Sequence, residues 1–206
     1  MKARISQAGL GLEDIYVRPT IIGLIGPKGS GKSLTAHAME FLSTQVVRLR
    51  YAEGIKAMLR TLLKMHGYTD EEITEYLDGT RKEVVIPELG RTARYLMQTL
   101  GTEWGRELVT PNIWVAATIA TAETLVAEGH AVVIDDVRPG AFRNEAQAIR
   151  DRAGVLVEVV RPGYHYSENH DSEMPHDVEP DHVIVNDGRP EDLLGPVEEL
   201  LKEIGQ

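Results

Sequence analysis

Residues 23–37 read GLIGPKGSGKSLTAH, and this stretch decides the fold. Gly26 and Gly31 bracket four residues, Lys32 and Ser33 follow at once, and the apolar run Thr20-Ile21-Ile22-Gly23-Leu24-Ile25 leads in. A strand, a glycine-bearing turn and a helix start in that order make a phosphate loop. The glycines let backbone N–H groups turn inward around a polyphosphate, at the positive end of the following helix. In this pattern the lysine reaches the β and γ phosphates and the hydroxyl ligates Mg²⁺. The residues expected to bind a nucleotide are Gly26, Lys28, Gly29, Ser30, Gly31, Lys32, Ser33 and Leu34.

A phosphate loop of this kind requires a carboxylate on the metal side, at the end of another strand. Ala131-Val132-Val133-Ile134-Asp135-Asp136 supplies two. Ser33, Asp135 and Asp136 are therefore the metal candidates, with a capping role in the next turn as the alternative for one of the acids. Spacing does not rank the two. Arg138 stands two residues further on, where ligands of parallel sheets bind, and joins Lys32 and Asp136 as a catalytic candidate. Arg143, Arg150, Arg152 and Arg161 follow, of which Arg150 and Arg152 read as solvated helix residues.

Further apolar runs at 45–49, 155–160 and 182–186 bring the strand total to five, separated by helical stretches near 32–42, 53–66, 70–78, 89–108, 112–128, 141–153 and 190–204. Near-continuous Val and Ile runs between helices predict an α/β fold with a five-stranded parallel sheet covered on both faces. The core is expected at about 20–50 and 129–206, and a helical insertion at about 51–128. Within that insertion Leu89, Ala93, Leu96, Met97 and Leu100 fall on one helical face, and Arg91, Arg94 and Gln98 on the other. Residues 1–19 have no clear period and read as a lead-in packed on the surface.

The chain has 206 residues, 32 acidic against 22 basic, for a formal charge of −10. That balance argues against a coat for nucleic-acid polymers but not against a small anion held by a local cluster of cations. With no Cys there is no disulfide framework, and no apolar run reaches the roughly 18 residues of a membrane span. A cytoplasmic protein is the expectation. His165, His170, His176 and His182, with Asp171, Glu173 and Asp177, match no zinc spacing and read as loop residues.

Several stretches together resemble the deoxynucleoside monophosphate kinases of bacteriophages: the phosphate loop, Tyr51–Lys56 (YAEGIK), Leu89–Arg106 (LGRTARYLMQTLGTEWGR), Asp136-Val137-Arg138, Asn144-Glu145-Ala146, His170-Asp171-Ser172-Glu173 and Asp181–Gly188 (DHVIVNDG). The resemblance runs from about residue 20 to the C-terminus, and QTLGTEWGR is its most specific part. It implies a P-loop kinase fold, ATP with Mg²⁺ as donor, and transfer of the γ-phosphoryl to a nucleoside monophosphate. It also implies acceptor-side roles for Lys56, Arg91, Arg94, Gln98, Arg106 and Arg138, with Trp104 or Trp114 against a base. A homodimer is compatible with it. At DVRPGAFRNEA the chain is longer than the family pattern, which leaves the place of Arg143 open.

The residues agree with this on one independent point. A phosphate monoester is largely ionised at neutral pH, with a second pKa of about 6, so cations matter more to its reaction than a general base. The chain is rich in arginines and has no evident His-based catalytic pair. Two other readings stay open: a kinase with a hydroxyl acceptor, of the dephospho-coenzyme A or shikimate type, with Asp135 or Asp136 as base, and a nucleotide-dependent switch or ATPase.

Overall fold

The computed structural model describes residues 14–138, 143–166 and 178–205. The elements run β1 (Ile21–Ile25), α1 (Lys32–Leu42), β2 (Val46–Leu49), α2 (Glu53–Met65), α3 (Asp70–Leu77), β3 (Val85–Ile86), β4 (Arg91–Thr92) and α4 (Ala93–Thr99). A π-helix (Leu100–Val109) is followed by α5 (Ile113–Ala127), β5 (Ala131–Ile134), α6 (Arg143–Arg150), β6 (Val155–Val160) and β7 (His182–Val185). A 3₁₀ turn (Pro190–Leu193) leads into α7 (Leu194–Ile204).

Five strands form one sheet in the order β2-β5-β1-β6-β7, and every pairing is parallel. The central strand β1 is buried at all five positions, as apolar runs covered on both faces must be. It pairs with β5 on one side and β6 on the other, so the loop after β1 opens at the carboxyl edge where the strand order reverses. That is where ligands bind in open parallel sheets. The α/β fold with a five-stranded parallel sheet is thus the one the apolar runs predict.

Packing divides the chain into two compact units, one of residues up to Arg50 with Ile119 onward, the other Tyr51–Thr118. The core of the first joins Ile22 and Leu24 of β1, Met39 and Leu42 of α1, Val133, Val157, and Val197 and Leu201 of α7. Val17 is part of it and fully buried, so the lead-in contributes to the core instead of lying on the surface as expected. Its backbone N–H is satisfied by Gln45 Oε1 at 3.1 Å, and that of Ile15 by the Leu42 carbonyl at 3.1 Å.

The second unit packs Ile55, Leu59 and Leu63 of α2 against Ile73, Tyr76 and Leu77 of α3, with Ile86, Ala93 and Trp114. Here the helix expected over 89–108 takes another form. Gly90 has φ +62, and Arg91-Thr92 pair antiparallel with Val85-Ile86. Thr92 then caps α4, its Oγ1 accepting from the Tyr95 N–H at 3.1 Å. Arg91 therefore lies on a strand and not on the helical face with Arg94 and Gln98. Beyond Leu100 the helix widens to π spacing. Trp114 lies against Gly105, where an added Cβ would sit 2.7 Å from its Nε1, and that N–H donates to the Gly101 carbonyl at 2.9 Å. The wider π spacing thus coincides with the turn whose Gly101 carbonyl accepts the indole N–H.

Lys56 and Arg60, one turn apart on α2, both pair with Asp78 at the end of α3, Arg60 at 2.7 Å. Partial burial alone would raise the Asp78 pKa, but the hydrogen bond from Lys56 and the charges of Lys56 and Arg60 outweigh it and hold the carboxyl below its ordinary value. A depressed folded pKa stabilises fully above the unfolded value of about 3.9 and is lost as pH falls through the folded one. Asp78→Asn should therefore cost about 1–2 kcal/mol at neutral pH, allowing for the exposure of the carboxylate. It should also flatten the acid limb of a plot of melting temperature against pH.

Candidate active site

The phosphate loop leaves β1 through Gly26 at φ +137 and enters α1 through Gly31 at φ +107. Both angles are in the region open to glycine, and at each a side chain would strike a neighbour: the Val159 carbonyl at Gly26, the Asn186 amide at Gly31. The Asn186 amide Nδ2 donates to the Ser30 carbonyl at 2.8 Å and is buried, so β7 braces the loop from behind. Helix α1 has no side-chain cap and no acid in its first turn, which leaves its positive end to an anion. The Ser30 hydroxyl is buried with no partner among the described residues. Tyr164 covers the far side of the loop, its ring 2.6 Å from where a Cβ on Gly29 would stand, and Arg161 stacks on that ring at 4.9 Å. Glycine turns, an uncapped helix start and a buried hydroxyl make a cradle that fits a polyphosphate.

Lys32 Nζ donates to the carbonyls of Gly26 at 2.6 Å and Pro27 at 2.9 Å, which holds the ammonium over the loop. Burial pushes its pKa below the ordinary lysine value, against the opposing pull of Asp135 and Asp136. Ser33 Oγ donates to Asp135 Oδ2 at 2.7 Å. Asp135, just past β5, is 3% exposed, and it also receives Arg48 of β2 and Arg50 just beyond that strand, Arg50 Nε at 2.9 Å. Of the two acids at this strand end, Asp135 is thus the one joined to Ser33. The Arg138 backbone N–H donates to Glu145 Oε2 at 2.7 Å, and Glu145 is fully buried, so α6 fixes the turn that carries Arg138.

In the other unit, Arg94 pairs with Glu83, and Arg91 stacks on Tyr95 at 5.3 Å while donating to the Gly90 carbonyl at 2.9 Å. Gln98 and Trp104 are exposed, Arg106 is half-buried, and Lys56 is nearly buried against Asp78. Trp114 belongs to the core. Arg150 binds Asp181, and Arg152 binds Glu123 at 2.6 Å, in line with surface ion pairs. Among the described residues no three His, Asp or Glu converge on a metal position. His182 Nδ1 lies 3.5 Å from Glu203, while His170, His176, Asp171, Glu173 and Asp177 lie outside the described residues, as does the side chain of Arg143.

Arg48, Arg50 and Tyr164 are not singled out by sequence reasoning, and Asn186 appears there only within DHVIVNDG, without a role. For the arginines the cue is the spacing Arg48-x-Arg50, which puts two cations on one face of an extended chain beside an acidic strand end. On an edge strand that pattern reads equally as a solvated face.

Among known proteins, the deoxynucleotide monophosphate kinase profile matches residues 81–197. A relative from Acanthamoeba polyphaga mimivirus, assigned to the deoxynucleotide monophosphate kinases, is 31% identical over 167 residues, covering 75% of this chain and 80% of the relative. Similar solved structures include the APS kinase of Mycobacterium tuberculosis, with 17% identity, TM-score 0.44, and 90% of this chain and 99% of that one covered. Another is the shikimate kinase of Aquifex aeolicus, with 14% identity, TM-score 0.38, and 89% and 96% covered. No helix among the described residues is long and apolar enough to cross a membrane. With profile and relative agreeing over a chain whose loop is built for a polyphosphate, the protein belongs to the deoxynucleotide monophosphate kinase family, a family of nucleotide phosphotransferases.

Proposed function

We propose that the chain transfers the γ-phosphoryl of ATP to a deoxynucleoside or ribonucleoside monophosphate, giving the diphosphate, in the cytoplasm of the cell where it is made. The observation that carries this is the Ser33–Asp135 hydrogen bond at the start of α1. With its proton committed to Asp135, the Ser33 oxygen keeps its lone pairs for a cation. Residues Gly26 to Leu34 would hold the triphosphate by backbone N–H groups and Lys32, and Ser33 with Asp135 and Asp136 would hold Mg²⁺. A metal held there would supply charge neutralisation on the phosphates. Lys32 and Arg138 would supply the protein's own cations.

On the acceptor side Lys56, Arg91, Arg94, Gln98, Trp104 and Arg106 remain the candidates, in an insertion at about 51–128. Arg94 is the most informative of them. It is exposed and its partner Glu83 is also exposed, so it can be exchanged without disturbing the core. Arg94→Ala should raise the acceptor KM or lower turnover about tenfold, with ATP affinity nearly unchanged. Lysine there should restore activity only in part, since an ammonium lacks the bidentate fork.

The test of the whole reading is a panel of ribo and deoxy monophosphates, assayed for ATP-dependent diphosphate formation beside ATP alone and beside hydroxyl acceptors. ADP release that needs no acceptor, or that answers only to a hydroxyl, overturns it. A homodimer would show as a doubled mass in sedimentation.

A further inference from the structure

Arg48 lies in β2 and Arg50 one residue past its end, so both project from the same face of the extended chain. The parallel register sets Leu49 opposite Ile134, which brings Arg50 level with Asp135 at the carboxyl edge of the sheet. Asp135 then takes three donors. Arg50 reaches it with Nε at 2.9 Å to Oδ1 and with a terminal nitrogen at 3.3 Å to Oδ2, while Arg48 and Ser33 both address Oδ2. We propose that Arg50 is a phosphate-binding residue for the γ end of the nucleotide, and that Arg48 is the positioning residue that holds Asp135 in place for it.

Asp135 is thus met by two guanidiniums, and the first argument is the division between them. The Arg48 side chain is 9% exposed, its Nε is buried without a partner among the described residues, and its remaining nitrogens meet His37 and Asp135. It is committed to the interior. The Arg50 side chain is 31% exposed and can meet a ligand.

The second argument fixes which phosphate. The Ser33 hydroxyl of a phosphate loop would hold Mg²⁺, and a metal there would serve the β and γ phosphates. Because Arg50 shares a carboxylate with Ser33, it is held to that same end. A planar guanidinium there offers paired N–H donors to phosphate oxygens. The assignment rests on the reading that the loop binds ATP, and it adds a means of telling ATP from ADP.

The test is a calorimetric titration of the full chain, in Mg²⁺ and without acceptor, with a non-hydrolysable ATP analogue and with ADP. Arg50→Ala should weaken the triphosphate analogue about tenfold or more while ADP affinity changes by less than about twofold. Arg50→Lys should fall between. Arg48→Met should shift the same ratio in the same direction by a smaller factor, which a purely structural arginine would not do. Equal losses for both nucleotides in Arg50→Ala and Arg50→Lys, or no loss for either, overturn the assignment. If Arg50 sets the ratio yet no monophosphate is phosphorylated, the kinase reading fails and the assignment stands. If turnover proceeds and the ratio ignores Arg50, the reverse holds. No binding of either nucleotide by the unaltered chain overturns both.

Discussion

Lys32→Ala is expected to fold and to lose turnover by about 10²- to 10³-fold or more, the scale seen when one donor to a developing charge is removed from a closed site. The side chain contributes to no hydrophobic cluster, and its contacts are with two loop carbonyls. Burial already disfavours its charged form. Removing it therefore relieves a desolvation cost, and the melting temperature should hold or rise while the phosphotransfer rate collapses. A coupled assay of diphosphate formation beside a thermal melt reads both. Near-normal turnover would take the loop lysine out of the chemistry.

Asp135→Asn should differ in kind, losing stability and activity together. The carboxylate is nearly inaccessible and faces two guanidiniums, one of them almost fully buried. Taking one partner from a buried pair leaves an uncompensated charge, at a cost of about 3 kcal/mol or more. For a chain of this length that lowers the melting temperature by roughly 10 °C. Ser33 loses its anionic acceptor as well, so turnover should fall further than in Asp136→Asn. Both variants are compared by melting temperature and by turnover at saturating Mg²⁺ and ATP. Equal, small effects at the two positions would remove Asp135 from its central place.

The five strands were legible because each is a run of Val and Ile long enough for a buried parallel strand and too short for a helix between turns. The phosphate loop was legible because its glycines are required by backbone geometry that sequence records directly. What escaped depends on partners distant in the chain. The start of α4 moved to Ala93 because Arg91-Thr92 pair with Val85-Ile86, which periodicity within one segment cannot reveal. The π-helix needed Trp114 to be placed against Gly101 and Gly105. Arg48 and Arg50 take their meaning from Asp135, 87 and 85 positions away. Arg138 was read as a side chain, whereas its backbone N–H, held by buried Glu145, also fixes the strand end.

The Asn186 amide meets the Ser30 carbonyl across 156 positions of sequence. During synthesis at the ribosome, the glycine-rich turn emerges early and waits for most of the protein before its last support exists. Nucleotide affinity should therefore be acquired late, after β7 has docked beside β6, and not when the loop itself has been made. A half-made chain would then hold no nucleotide, and competence to bind would become a sign that the sheet has closed.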